Sequence, residues 1–239
     1  MTAPGFLLGG RVRHDQRDTG HRTGIEPVFL AASIPARSGE RVLEGGTGSG
    51  AALLCLAARI PGVSGSGIER DPAMAEVARA NVAANGFSGL SVLAADLAEA
   101  TLAGPFDHAF ANPPWHDPAG TPSPDSGRES ARRADADLFA VWAGRLAAPL
   151  RHRGTLTFVV AAAALPACLM AFAAAGCGGL AALPLWPRAG VAAKLTLLRG
   201  IKGARAPFRL LPGLVLHEAS GTFTPAAEAI LRDGAGLPL

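Results

Sequence analysis

Val42-Leu43-Glu44-Gly45-Gly46-Thr47-Gly48-Ser49-Gly50, followed by the run Ala51 to Arg59, is the stretch whose reading decides the fold. Two apolar residues and an acid read as the end of a β-strand, the glycine run as a tight loop, and the Ala/Leu run as a helix. A strand, a glycine loop and a helix together make a nucleotide-type site. The glycines let the backbone approach a ligand closely, and the helix start offers free N–H groups.

The loop by itself leaves two readings open. Gly46-x-Gly48-x-x-Ala51 fits the dinucleotide pattern. Glu44-x-Gly46-x-Gly48-x-Gly50 fits the pattern of S-adenosylmethionine sites, in which an acid ends the first strand and faces the loop. No Lys-Ser/Thr pair follows, which excludes a P-loop. Further along, a second strand (Gly65 to Ile68) ends in Glu69 and a helix runs from Pro72 to Asn85, with proline well placed at its start. A third strand (Leu90 to Ala95) ends in Asp96. Glu69 suits ribose hydroxyls in either reading. Asp96 suits the adenine amino group of a cofactor, or equally caps a helix over Leu97 to Leu102.

The fourth strand is Phe106-Asp107-His108-Ala109-Phe110-Ala111, and it runs into Asn112-Pro113-Pro114-Trp115. A residue before proline is pushed out of the helical region, and proline fixes its own φ. The Asn112 amide oxygen and the Pro113 carbonyl are thus held side by side with an indole next to them. Two such acceptors suit the two N–H bonds of an exocyclic amine, whose lone pair they turn toward an electrophile, while Trp115 stacks on the ring. Charge develops only as the new bond forms, so preorganised acceptors suffice without a strong base. The plainer alternative is a turn in which Pro-Pro ends the strand and Trp115 is core. Four successive strands ending in Glu44, Glu69, Asp96 and Asn112 favour the first reading. In a parallel sheet these ends share one edge, and a dehydrogenase has no need of Asn-Pro-Pro-Trp at the fourth.

The rest of the chain bounds the answer. With 239 residues and 49% hydrophobic content it is long enough for one α/β domain with a full core. The net charge of +3 permits a polyanionic partner without demanding one. Residues 1–24 read as a loop or short hairpin carrying the densest basic cluster. Its Arg13 and Arg22 are the candidates for touching substrate phosphates, against the alternative of a solvated arm. A short helix follows from Ile25 to Ser33. His116 to Gly127 reads as a wall of the target pocket, and Arg128 to Leu150 as a long helix. Gly154 to Pro187 contains no charged residue, but its prolines and glycines break it into strand, helix and strand rather than a membrane span. Leu180 to Trp186 and Ala193 to Leu198 are expected to pair antiparallel, and Thr224-Pro225 to cap a last short helix. Cys55, Cys168 and Cys177 match no zinc or redox spacing, and the histidines have no ligand partners, so no metal is expected. A reduced, cytoplasmic setting is the natural reading.

On these residues the chain resembles the tRNA adenine-N6 methyltransferases that modify a valine tRNA and, more broadly, the Asn-Pro-Pro-Tyr class I amino-methyltransferases. The resemblance covers His21 to Ala32, Val42 to Gly50, Gly67-Ile68-Glu69, Asp96 and Phe106 to Trp115. It extends to Lys202 to Pro207 and Leu214 to Glu218. It implies that Glu44 and the loop (Gly46, Gly48, Gly50) hold the methionine part of S-adenosylmethionine, Glu69 the ribose and Asp96 the adenine. It also implies that Asn112, Pro113 and Trp115 hold the target base. Trp115 stands where Tyr is common, and Glu26 where Asp is expected.

The expected architecture is therefore a single class I methyltransferase domain, Rossmann-like. Residues 1–38 form an arm and short helix, and 39–239 a core with a seven-stranded, mostly parallel sheet whose last strand is antiparallel. The expected function is methyl transfer to an exocyclic amine, adenine N6 in tRNA. Alternatives are a protein glutamine or DNA adenine methyltransferase, a non-catalytic RNA-binding module that kept the fold and, weakest, a nicotinamide-dependent dehydrogenase.

Overall fold

A computed structural model describes residues 2–3, 5–17, 23–114 and 125–239, with 2–3 and 125–135 described by their backbone. Seven strands of five residues or more form the sheet: β1 (Arg41–Gly45), β2 (Ser64–Glu69), β3 (Leu90–Ala94), β4 (Phe106–Ala111), β5 (Leu150–Ala161), β6 (Cys177–Trp186) and β7 (Leu195–Lys202). Their spatial order is β6-β7-β5-β4-β1-β2-β3. Strands β1 to β5 pair in parallel, and β7, the last in sequence, runs antiparallel to both β5 and β6. Two-residue strands at Arg209–Leu210 and Leu214–Val215 extend the sheet beyond β6. The strand order reverses between β1 and β4, and the crevice beyond the carboxyl ends at such a point is where ligands bind in open α/β sheets.

Both sheet faces are covered, which is why the inner strands read as continuous apolar runs. On one face Val42, Phe110, Val159 and Leu197 pack against α1 (Glu26–Ser33), α2 (Ala51–Arg59) and α6 (Pro225–Asp233). On the other, Leu43, Ala109, Leu156 and Leu198 pack with Phe139 and Leu146 of α4 (Asp125–Ala147) and Phe172 of α5 (Leu165–Ala174). Helix α3 (Pro72–Ala84) is capped by Asp71, whose side chain accepts from the Ala73 N–H, and Pro72 takes the first helical position. Thr224 caps α6 in the same way, accepting from Ala227.

Several boundaries differ from the sequence reading, which starts the long helix at Arg128 and places the strands that follow it at Thr155 to Val160, Leu180 to Trp186 and Ala193 to Leu198. Leu97 to Leu102 is a turn rather than a helix, and its start is closed by bonds from Glu99 and Ala100 to the Asp96 carbonyl. Leu150 belongs to β5, not to the helix before it, because it pairs with Phe106. Strand β5 is also twice the length expected, and its exposed first turn, Arg151 to Arg153, carries the charges that hid it. The uncharged stretch from Gly154 folds as the rest of β5, α5 and β6, and no helix among the described residues is long and apolar enough to cross a membrane. All three cysteines are free and buried.

Candidate functional site

β1 and β4 are neighbours with Gly45 opposite Ala111. The next residue of each, Gly46 and Asn112, therefore leaves the sheet beside the other, about 5 Å apart at ordinary strand spacing. Glu69 and Asp96 lie along the same edge, at the end of β2 and just beyond β3. The structure thus brings Glu44, the glycine loop, Glu69, Asp96, Asn112 and Pro113 to one edge. Asn112 is half-buried and Pro113 buried. Trp115, His116 and Arg22 lie outside the described residues, as do the side chains of Arg128, Arg132 and Arg133.

The loop is shaped by close packing below and open space above. Gly46 has φ 63°, and a Cβ on it would stand 2.6 Å from the Trp142 ring of α4. Gly48 has φ 56°, and a Cβ on it would meet nothing within 4 Å. A ligand can therefore lie against the Gly48 backbone, and a side chain there would take its room. The Gly48 N–H donates to one Glu69 oxygen at 2.8 Å, and the Asp71 N–H donates to the other at 2.9 Å. Glu69 is thereby fixed at the crevice with lone pairs left for hydroxyl donors. Asp96 accepts from the Ala98 N–H at 2.8 Å through one oxygen, which closes the turn and steadies the second.

Glu44, which the resemblance assigns to the methionine part of the cofactor, lies below the loop surface. It is turned beneath the loop, 3% exposed, and accepts from the Thr47 hydroxyl and from the Leu53 amide of α2. Burial raises its pKa to about 8, against the opposing pull of those hydrogen bonds. At neutral pH it is a protonated acid tying β1 to the loop and to the first turn of α2. Beyond that contact the helix start has no side-chain cap, so its first N–H groups are left for a ligand.

The N-terminal arm lies against this loop, a contact that pattern reading missed. Asn81 on α3 and Asn85 at its C-cap, four residues apart, grip it as a second strand would. The Asp15 N–H donates to Asn81 Oδ1, while Asn81 Nδ2 donates to the Asp15 and Ser49 carbonyls, each at 2.9 Å. Asn85 accepts from the Arg13 N–H at 2.9 Å and donates to the Arg13 carbonyl at 2.7 Å. His14 is fully buried with Nε2 2.7 Å from Ser49 Oγ. The available signal was a pair of amides four apart in an otherwise alanine-rich helix. The Arg13 guanidinium, expected to touch phosphate, is ion-paired with Asp15 at 2.8 Å on the surface. Among the described residues no cluster of three or more metal-ligating side chains occurs.

Comparison with known proteins agrees with this geometry. Residues 19–140 match the model of the methyltransferase small domain. A tRNA1(Val) (adenine(37)-N6)-methyltransferase from Aeromonas hydrophila is 30% identical over 209 residues, 85% of each chain. One of the same description from Porphyromonas gingivalis is 37% identical over 135 residues, and there the match spans only about half of either chain, 51%. A release factor glutamine methyltransferase from Rhodospirillum rubrum is 43% identical over 77 residues, 32% of this chain and 24% of that one. Among solved structures, a predicted O-methyltransferase from Agrobacterium tumefaciens superposes with a TM-score of 0.74 at 26% identity, covering 90% of this chain and 99% of its own. The sheet order, the glycine loop at the switch point and these matches lead to one conclusion: the chain belongs to the methyltransferase small domain family.

Proposed function

We propose that the protein is an S-adenosylmethionine-dependent N-methyltransferase acting on an exocyclic amine, adenine N6 in tRNA. The observation that carries this is the register of β1 against β4, which sets Asn112-Pro113 directly beside the glycine loop. The residues present fit the cofactor. Gly48 offers an open backbone face, Glu69 an acceptor for ribose hydroxyls, Asp96 an acceptor for an amino group, and the start of α2 donors for a carboxylate. When bound, the cofactor supplies an electrophilic methyl group. Asn112 Oδ1 and the Pro113 carbonyl would accept the two N–H bonds of the target amine and hold its lone pair toward that methyl; stacking on the base is the role assigned to Trp115, which lies outside the described residues. The base must leave any helical stack to reach this edge. The relatives described as tRNA1(Val) (adenine(37)-N6)-methyltransferases support adenine in tRNA as the target. The three buried thiols fit a reducing, cytoplasmic setting.

A second reading has its own support. Release factor glutamine methyltransferases match 77 and 75 residues of the chain at 43% and 41% identity, and a glutamine amide is planar and offers the same two N–H bonds. Transfer of a labelled methyl group to total tRNA and to purified release factors, followed by nucleoside mass spectrometry, separates the two. N6-methyladenosine in tRNA is expected; label confined to release factor would overturn the tRNA assignment. Asn112→Ala is expected to lower kcat by on the order of 10²–10³-fold, by analogy with loss of one preorganised polar group at a reacting centre. Its cofactor affinity should stay unchanged. A fully active Asn112→Ala enzyme would reduce the Asn-Pro-Pro-Trp stretch to a turn.

A further inference from the structure

Among the described residues a side-chain hydrogen bond joins the arm to the glycine loop, His14 Nε2 to Ser49 Oγ at 2.7 Å. Ser49 is fixed from its other side by Asn81, which holds its carbonyl. Two residues later α2 begins; its N-cap Gly50 supplies no side-chain bond, and Glu44 takes the Leu53 N–H. Its nine residues, Ala51–Arg59, end their dipole there, and the N–H groups of Ala51 and Ala52 suit an anionic ligand group. The His14 ring is wholly buried, and its Nδ1 has no hydrogen-bond partner among the described residues. Burial lowers its pKa to about 4, so at neutral pH the ring carries one N–H. With that proton on Nε2, the ring donates to Ser49 Oγ. The Ser49 hydroxyl proton is then free for another acceptor.

We propose that His14 is a positioning residue that makes Ser49 a hydroxyl donor to the carboxylate of the ligand's amino-acid end, seated at the start of α2. This rests on the reading of the glycine loop as the S-adenosylmethionine site. It gives the N-terminal arm a defined part in that site, since the arm carries the group that orients the loop's one serine. His14 itself touches no ligand.

The test compares two ligands that share adenine and ribose. S-adenosylhomocysteine carries the carboxylate and 5′-methylthioadenosine lacks it. Binding of each is measured by calorimetry to the wild type, His14→Ala, His14→Gln and Ser49→Ala. One charge-assisted hydrogen bond corresponds to roughly a ten- to hundredfold loss of S-adenosylhomocysteine affinity in His14→Ala and Ser49→Ala. Methylthioadenosine affinity should stay within about twofold, since it makes no such bond. His14→Gln, which keeps a side-chain N–H donor, should recover most of the loss, and His14→Ala combined with Ser49→Ala should be no worse than Ser49→Ala alone. Equal weakening of both ligands would mean the arm only supports the loop and overturns the proposal, as would unchanged S-adenosylhomocysteine binding in Ser49→Ala. Ser49→Ala leaves the arm in place, so it decides the matter even if His14→Ala does not fold. A wild-type protein that binds neither ligand overturns the cofactor assignment itself, an outcome distinct from the other two.

Discussion

At the residue scale, Glu44 shows that the place of a side chain can be legible while its direction is not. Its place at the end of β1 was legible from the spacing to Gly46, Gly48 and Gly50. Its direction was not, because only the packed structure shows the carboxyl under Thr47 and the first turn of α2. The consequence is a pH dependence with a definite sign. In the unfolded chain Glu44 ionises near 4.5, whereas burial holds it protonated to about 8 in the fold. Between those values the native state binds the extra proton, so the contribution is full below about 4.5 and is lost as pH rises through about 8. Glu44→Gln, which mimics the neutral acid, should therefore gain on the wild type in thermal stability as pH increases from 5 to 9. Melting temperatures of the two proteins across that range check it; a constant difference would show that Glu44 is ionised in the fold. Asn112, by contrast, was legible in both place and setting, because two prolines leave the backbone before them few conformations.

Elements were read well where local chemistry marks their ends. Asp71-Pro72 and Thr224-Pro225 announce α3 and α6, and both caps form. The turn after Asp96 was misread because an acid followed by apolar residues signals a helix start equally well, and only its further course decides. The arm's docking was beyond pattern reading, since Asn81 and Asn85 bond to a segment about seventy residues away in sequence. The glycine loop offers a test at this scale, because two of its three positive-φ glycines, Gly46 and Gly48, face opposite surroundings. Gly46→Ala pushes a methyl into the Trp142 ring and should cost about 1–3 kcal/mol of stability in urea unfolding, as overpacking does. Gly48→Ala meets no neighbour, so it should cost only the left-handed strain of about 1–2 kcal/mol, and its chief effect should be lost S-adenosylmethionine affinity. If Gly48→Ala binds the cofactor as the wild type does, the ligand does not lie where the open face suggests.

For the whole molecule, the mostly parallel sheet with its antiparallel last strand was legible from four strand ends and a closing pair, and the seven longer strands form it; their spatial order comes from the structure. Charge distribution was less legible. The basic arm reads as a phosphate-binding cluster, yet Arg13 is paired with Asp15 and Arg17 lies 3.4 Å from Asp71. Binding to tRNA should still be salt-dependent, with log affinity falling by roughly 0.7 per phosphate contacted per unit of log salt for single-stranded segments. Because Asp15 already offsets Arg13, Arg13→Ala should change that slope little. Affinity that is flat between low and physiological salt would point to a protein substrate instead.

The ring that covers Gly46 has an optical consequence. Trp142 lies against the cofactor loop at van der Waals distance, and an indole's emission follows the polarity and polarisability around it. Of the three tryptophans, Trp186 is held far along the sheet on β6, its Nε1 donating to the Pro212 carbonyl at 3.0 Å. In a Trp115→Phe protein, one lamp sits at the loop and the other serves as a fixed reference, so occupancy of the loop can be read by fluorescence without a label.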